Sequence, residues 1–118
     1  MKNMKKNYRI KKSEDIEQII KNKKSVGNKN YIIYIMKNSE AKHFRVATSV
    51  SKKIGNAVVR NRQKRLIKQV FTVYKEKILP FDIFVIARNN ATSLTYIEVE
   101  SNLVNLLKKI NVLNEEIK

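Results

Sequence analysis

Three arginines within six positions are the residues of this chain best suited to chemistry, and that chemistry is the binding of phosphate. Arg60, Arg62 and Arg65 lie in SKKIGNAVVRNRQKRLIKQVF, residues 51–71, which contains no acidic side chain. A guanidinium group donates two parallel hydrogen bonds to a phosphate or to a guanine edge, whereas a lysine ammonium acts as a point charge. Asn61 can reach a base edge or a ribose hydroxyl. These side chains predict a structured surface for a polyanion.

Lysines extend this positive charge in both directions along the chain. Lys52 and Lys53 precede the arginines, Lys64 and Lys68 continue them, and no residue of the segment 41–75 is acidic. An ordinary solvated helix face mixes signs, because Glu–Lys pairs four residues apart stabilise a helix and like charges destabilise it. A solvated polar face is the simpler interpretation of most charged helices. Here the uncompensated repulsion favours a surface whose charge is balanced by bound phosphates.

The acidic residues do not predict a self-sufficient nuclease, which needs converging carboxylates to hold its metal ions. Glu14, Asp15 and Glu17 form the only acidic cluster outside the C-terminal half, and they suit the first turn of a helix capped by Ser13. His43, the only histidine, has no predicted nucleophile or orienting carboxylate beside it. The two glycines cannot form a glycine-rich phosphate loop. We therefore expect neither a catalytic residue nor a metal site in the protein.

The whole chain has the composition of a small basic protein. Its 118 residues, 42% of them hydrophobic, suit one modest core, so we expect a single domain over 1–118 with a flexible basic N-terminus at 1–12. A net charge of +16 points to nucleic acid or an anionic membrane surface as partner. The absence of cysteine favours a reducing compartment, and the longest apolar run, at 31–36, is too short to cross a bilayer. We expect a cytoplasmic protein.

Three helices and three strands are predicted to hold these residues. They are a helix beginning at Ser13, strands at 31–36, 44–50 and 82–88, a helix from Asn56 to Tyr74 and a helix from Tyr96 to Lys109. The short connection between the first two strands predicts an antiparallel hairpin. The order α-β-β-α-β-α contains a β-α-β unit and predicts an α/β (α+β) two-layer sandwich with a small mixed sheet. The general rule makes that crossover right-handed.

The basic helix is predicted to be amphipathic. Asn56 can cap its first turn, and Gly55 permits a tight entry from the preceding loop. At the helical period an apolar stripe faces the core and comprises Val59, Leu66, Val70 and Val73. The opposite face is centred on Asn61, Lys64, Arg65 and Lys68, with Arg60 and Arg62 at its two boundaries.

The first strand is predicted to be buried on both faces, because it is short, β-branched and aromatic. Alternation sets Tyr34 on the face of Ile32 and Met36, opposite Ile33 and Ile35. An aromatic residue in such a strand belongs to the core more often than to a binding site. The residue types alone leave both roles open for Tyr34.

Several segments resemble the protein component of bacterial ribonuclease P, the ribonucleoprotein that removes the 5′ leader from precursor tRNA. They are RIKKSEDI, SVGNKNYIIY, FRVATSVSKKIGNAVVRNRQKR and DIFVIAR, and they occur in the family's order and spacing over residues 9–88. The resemblance implies that the ribonuclease P RNA is the catalyst and works through Mg²⁺. The protein is then a non-catalytic subunit that assists the binding of precursor tRNA and of metal ions.

The resemblance assigns the binding of the catalytic RNA to the basic helix and the loop before it. The family's RNR motif falls on Arg60, Asn61 and Arg62. The expected RNA-binding residues are Lys52, Lys53, Asn56, Arg60, Asn61, Arg62, Lys64, Arg65 and Lys68. The family fold also has a left-handed β-α-β crossover, opposite to the hand that the general rule gives.

A cleft for the single-stranded leader is implied by the same resemblance. Its aromatic positions fall on Ile16, Ile20 and Tyr34, and we expect the cleft to comprise Ile16, Ile20, Tyr34, Arg45, Ser49 and Arg88. Relatives usually carry phenylalanine at the first two positions. Isoleucine can line an apolar groove but cannot stack on bases, an interaction worth about 1–3 kcal/mol per base. The leader contact is therefore expected to be weaker or differently distributed.

Two other classes of protein are compatible with the size and basicity of the chain. One is a structural RNA-binding protein, such as a ribosomal protein. The other is a basic protein of the membrane surface, which needs an exposed apolar helix face opposite its cations. Sequence-specific DNA binding is not expected, because the basic helix lacks the partner helix of a helix-turn-helix and the chain lacks zinc ligands.

Overall fold

Three α-helices and four strands follow one another in the part of the chain that the computed structural model describes, residues 6–114. In chain order they are α1 (Ser13–Lys21), β1 (Lys24–Gly27), β2 (Tyr31–Lys37), β3 (Arg45–Val50), α2 (Ala57–Val73), β4 (Phe81–Ala87) and α3 (Tyr96–Lys109). Short 3₁₀ turns occupy Lys6–Tyr8, Lys52–Ile54 and Asn89–Ala91. The predicted order α-β-β-α-β-α is confirmed for the helices and the three longer strands, and the fold is mixed α+β. Part of the predicted flexible N-terminus, residues 1–5, lies outside the described residues.

The four strands form one mixed sheet in the order β1-β2-β4-β3. β4 pairs antiparallel with β2, where Tyr34 lies opposite Phe84, and parallel with β3, where Ala47 lies opposite Phe84. The predicted hairpin of β2 and β3 is therefore wrong. β4 is the most deeply buried strand, because β2 and β3 cover its two edges and the helices on either side of the sheet cover its two faces. The β3-α2-β4 crossover joins neighbouring parallel strands, and its hand stays a prediction.

The short strand β1 is not predicted by the sequence pattern, which indicates a loop after the first helix. It pairs antiparallel with β2, with Val26 opposite Ile33. Its residues KSVG are mostly exposed and include a lysine, as is common for a strand at the edge of a sheet. With only one half-buried apolar side chain, such a strand gives almost no periodic signal.

The sheet separates two apolar clusters. On one face, α2 and α3 pack over a large core in which Tyr31, Ile33 and Ile35 of β2 are fully buried. On the other face, α1 packs over a smaller cluster around Ile19 and Phe84, with Tyr34 and Met36 at its margin. The predicted alternation along β2 is confirmed.

The basic helix α2 begins and ends within one residue of the predicted bounds. The side chain of Asn56 accepts a hydrogen bond from the Val59 amide at 3.1 Å, so the predicted cap is confirmed. A side chain at position 55 would bring its Cβ within 2.9 Å of Val59 Cβ, which explains the glycine there. The predicted apolar stripe is wrong at Val73, which is 59% exposed. The helix instead buries Gln63, Ile67, Val70 and Phe71.

Candidate nucleic-acid interface

A ridge of polar and cationic side chains runs along the outer side of α2. We call it the basic ridge, and it comprises Arg60, Asn61, Arg62, Lys64, Arg65 and Lys68. Asn61, Arg62 and Arg65 are exposed, and the other three members are half-buried. Within the described residues, no salt bridge involves a side chain of the ridge. The six residues of the ridge therefore lie together on one helix, and no carboxylate of residues 6–114 forms an ion pair with their charges.

Two of the ridge arginines are oriented by backbone carbonyls. Arg60 Nε donates to the Gly55 carbonyl at 3.2 Å, and a terminal nitrogen of Arg62 donates to the Leu94 carbonyl at 3.2 Å. A carbonyl fixes the direction of a guanidinium without cancelling its charge. Each arginine keeps further N–H groups for a ligand. The arrangement is suited to phosphate oxygens, which accept charge-assisted hydrogen bonds from such forks.

Arg9, which is not among the predicted residues, is a further cation beside the ridge. Burial, together with the nearby charges of Arg9 and Lys64, lowers the pKa of Lys68 below its usual value. Arg9 reaches this place because the segment before α1 pairs with the free edge of β3, where the Ile10 amide donates to the Val46 carbonyl at 3.0 Å. The only sequence signal for Arg9 is its place in the basic segment RIKK, residues 9–12. A bound phosphate would offset the repulsion from Arg9 and Lys64, which adds to the effect of burial on the pKa of Lys68.

Lys52 and Lys53 lie in the 3₁₀ turn between β3 and α2, and both are exposed. Ser51 stabilises this turn, because its side chain accepts from the Lys53 amide at 3.1 Å. The turn leads directly into the N-terminus of α2, where free backbone N–H groups favour anions. The two lysines therefore stand at the junction of β3 and the ridge, as the sequence predicts.

The predicted leader residues lie on the opposite face of the sheet, beside α1. Ile16 and Tyr34 are half-buried at the margin of the smaller cluster, and Ile20 is 40% exposed. Phe84 is not among the predicted residues, and its ring centroid lies 6.5 Å from that of Tyr34. Phe84 belongs to a strand whose continuous apolar run conceals its faces, so periodicity gave no signal. We call the surface of Ile16, Ile20, Tyr34 and Phe84 the α1 cleft.

The other three predicted leader residues extend the α1 cleft along the sheet. Arg45 lies at one end, where it forms an ion pair with the buried Asp82. Ser49 is half-buried and lies opposite Ile86 towards the other end. Arg88 follows β4 at that end, is exposed, and donates to the Asn28 carbonyl at 3.3 Å. The hydrogen bond to Asp82 raises the pKa of Arg45, so much of its donor capacity is used within the fold.

The remaining titratable residues form no catalytic arrangement among residues 6–114. No group of three or more His, Asp or Glu side chains there is placed to hold a metal ion. His43 is half-buried, stacks on Tyr8 with ring centroids 3.8 Å apart, and contacts the Phe44 carbonyl through Nδ1 at 2.7 Å. These contacts are structural. Among the described helices, none has the length and apolar character needed to span a membrane.

Comparisons with known proteins agree on one family. The family model described as Ribonuclease P matches residues 4–111. The ribonuclease P protein component of Staphylococcus epidermidis is 49% identical over 115 residues, covering 98% of this chain and 100% of the relative. That of Macrococcus caseolyticus is 51% identical over 114 residues, covering 97% and 99%.

Solved structures give the same result. The RNase P protein of Staphylococcus aureus at 2.0 Å resolution superposes with a TM-score of 0.86 at 46% identity, covering 91% of this chain and 98% of that one. The RNase P protein of Thermotoga maritima in complex with 1-(4-fluorophenyl)-2-thiourea gives a TM-score of 0.75 at 32% identity, covering 80% and 92%.

Proposed function

Because the chain belongs to the ribonuclease P protein family, we propose that its basic ridge binds the catalytic RNA while its α1 cleft holds the 5′ leader of precursor tRNA. Membership makes the protein a subunit of the endoribonuclease that matures tRNA 5′ ends, acting with the ribonuclease P RNA. The proposal concerns which residues contact each RNA. It includes the lysines and the cap residue before the ridge, Lys52, Lys53 and Asn56.

The uncompensated charge of the ridge is the observation that carries the proposal. Its five cations lie on one side of α2, and no carboxylate among the described residues forms an ion pair with them. Repulsion of this kind destabilises the free protein and is relieved when phosphates approach. A folded RNA presents phosphates at many positions on its surface. Its binding is thus expected to release counterions and to depend strongly on salt.

The α1 cleft is suited to a single strand rather than to a duplex. Tyr34 offers half-buried aromatic surface beside the buried ring of Phe84, and Ile16 and Ile20 offer apolar surface from α1. Bases of a single strand can pack on such surfaces, whereas paired bases are already stacked. Arg88 at the end of the cleft can hold a backbone phosphate. Precursor tRNA, which carries a single-stranded leader, is therefore the proposed second partner.

Mg²⁺ is proposed to be held mainly by the RNA. The described part of the protein offers no cage of carboxylates for the ion, so its residues do not fit a protein-bound metal site. The positive ridge and the ion both counter phosphate repulsion when the RNAs assemble. The protein is accordingly expected to lower the Mg²⁺ concentration that cleavage requires. We further propose that residues 1–118 act as one RNA-binding domain in the cytoplasm.

Reconstitution tests these assignments directly. The protein is added to a ribonuclease P RNA at low Mg²⁺, and cleavage is followed on precursors with and without a leader of several nucleotides. The protein should stimulate cleavage at the mature 5′ end and should strengthen the binding of the precursor that carries the full leader. RNA alone at high Mg²⁺ shows that the RNA is competent. No stimulation of a competent RNA, or cleavage by the protein alone, would contradict the proposal.

A further inference from the structure

Gln63 is a buried amide in the middle of the most basic helix of the chain. It lies between Arg62 and Lys64 in sequence, yet its side chain is 0% exposed. An amide transferred from water to an apolar interior is unfavourable unless hydrogen bonds replace those that it loses. Periodicity assigns this position to no particular role. Its burial therefore calls for partners inside the fold.

Two hydrogen bonds satisfy the Gln63 amide, and they connect three separate elements. The hydroxyl of Tyr31, at the start of β2, donates to Gln63 Oε1 at 3.1 Å. Gln63 Nε2 donates to the Ala91 carbonyl at 2.6 Å. Burial raises the pKa of Tyr31, so its hydroxyl keeps the proton that it donates. Because both partners are buried, loss of either bond would leave a polar group unsatisfied.

The same contacts fix the orientation of the basic ridge. Successive residues of a helix are 100° apart, so Asn61 and Arg65 point away from the sheet when Gln63 points into it. Arg62 adds a second bond to the same loop, through the Leu94 carbonyl. An apolar side chain of similar volume could fill the space at position 63. It could not set the rotation of α2 against the loop 91–94 through directed hydrogen bonds.

The other end of this contact is the turn that carries Arg88. Ala91 closes the 3₁₀ turn Asn89–Ala91, which follows Arg88 directly, and the Ala91 amide donates back to the Arg88 carbonyl at 2.9 Å. Arg88 and Asn89 are exposed at the end of the α1 cleft. One buried amide thus connects the helix proposed to bind the catalytic RNA with the turn proposed to bind the leader.

We propose that Gln63 is a positioning residue that holds the basic ridge and the Arg88 turn in the relative placement needed to bind both RNAs at once. It touches neither RNA and acts through Arg62, Arg65 and Arg88. This inference rests on the proposed function, because it presupposes that the ridge and the cleft contact different RNAs. Without the hydrogen bond from Gln63 to the Ala91 carbonyl, the basic ridge and the Arg88 turn each keep their side chains, but the position of one relative to the other is no longer fixed.

The test compares leader preference among variants of the full chain in the reconstituted holoenzyme. Leader preference is the ratio of the dissociation constants for precursors with one leader nucleotide and with the full leader. Each variant is added until it saturates the ribonuclease P RNA, because RNA without protein also binds both precursors. A smaller folded fraction then leaves this ratio unchanged, so a merely structural role would not change it. Gln63→Met removes both hydrogen bonds with little change in volume. Tyr31→Phe is the matched control, since it leaves the bond from Gln63 to Ala91 intact.

Gln63→Met should lower the leader preference by at least about fivefold, while the affinity for the ribonuclease P RNA alone changes less than this. Tyr31→Phe should keep the leader preference. Should Gln63→Met fail to fold, the double variant Tyr31→Phe/Gln63→Met removes the unsatisfied hydroxyl as well and should show the same loss. A leader preference that survives in either Gln63 variant would overturn the inference.

The unsubstituted holoenzyme and Arg88→Ala separate this inference from the proposed function. If the unsubstituted holoenzyme shows no leader preference, the proposed leader contact fails and the inference falls with it. If it shows a preference that Arg88→Ala reduces but Gln63→Met does not, the proposed contact stands and the inference alone is overturned. A parallel loss in Arg88→Ala and Gln63→Met supports both.

Discussion

Arg45 and Asp82 form a two-point ion pair across the neighbouring parallel strands β3 and β4. Arg45 Nε lies 3.0 Å from Asp82 Oδ1, and a terminal nitrogen lies 2.8 Å from Oδ2. Asp82 is buried, and Asp15 of α1 approaches the same guanidinium at 3.9 Å. The pair therefore joins two strands and the first helix. It also distinguishes Arg45, whose charge is balanced within the fold, from the cations of the basic ridge.

Asp82→Ala should destabilise the fold by about 1–3 kcal/mol, because a buried acceptor is lost and Arg45 keeps its charge without its main partner. The measurement is the free energy of unfolding in urea. Glu40→Ala is the control, since Glu40 is an exposed carboxylate, and its effect should stay within about 0.5 kcal/mol. Equal effects of the two substitutions would show that the ion pair contributes nothing measurable.

Val70→Ala and Val73→Ala test the orientation of α2, because they make the same chemical change at a buried and at an exposed position of one helix. Val70 is fully buried, and its substitution should cost about 1–3 kcal/mol of unfolding free energy. Val73 is 59% exposed, and its substitution should change that free energy by less than about 0.5 kcal/mol. A larger loss at Val73 than at Val70 would contradict the observed orientation of the helix.

Tyr34→Ala should reduce the leader preference of the holoenzyme, because the α1 cleft loses its most accessible aromatic ring. The stacking of one base is worth about 1–3 kcal/mol, and the ratio of the dissociation constants for precursors with one leader nucleotide and with the full leader reports it. Tyr34→Phe keeps the ring and should keep most of the preference. An unchanged ratio in Tyr34→Ala would count against leader contact at this position.

Ile20→Phe should strengthen leader binding, because it supplies a ring at a position of α1 that is 40% exposed and lies one helical turn after Ile16. The gain should approach the value of one stacked base, about 1–3 kcal/mol. Ile97→Phe adds the same ring on α3, at a residue that is 75% exposed and outside the cleft, and should leave leader binding unchanged. Equal gains from both variants would indicate a nonspecific effect of added apolar surface.

The helices and the faces of the strands could be predicted from the sequence because their signals are local. The cap at Asn56, the close approach at Gly55 and the alternation around Tyr34 depend on neighbours within a few residues. The resemblance to the family extended this local prediction to function. With the family established, neither a ribosomal protein nor a protein of the membrane surface is supported.

The pairing of strands and the burial of Gln63 could not be predicted in the same way. The hairpin of β2 and β3 was expected from a short connection, but β4 pairs with both because the centre of the sheet gives its apolar side chains the most cover. The stripe on α2 was expected to be purely apolar. Tyr31 and Ala91, which are distant in sequence, provide the hydrogen bonds that make a buried amide favourable at position 63.

The salt dependence of binding between the protein and the ribonuclease P RNA tests the central claim most directly. If about five phosphates are neutralised, the logarithm of the association constant falls with the logarithm of the salt concentration at a slope of about −4. Binding then weakens a few hundredfold between roughly 50 and 200 mM salt. The double variant Arg60→Ala/Arg65→Ala should bind the RNA more weakly, and its slope should be less steep by about 2, that is, about −2. Lys109→Ala, which removes an exposed cation from α3, serves as the control and should leave the slope unchanged. A double variant with the affinity and slope of the unsubstituted protein would contradict RNA binding by the basic ridge.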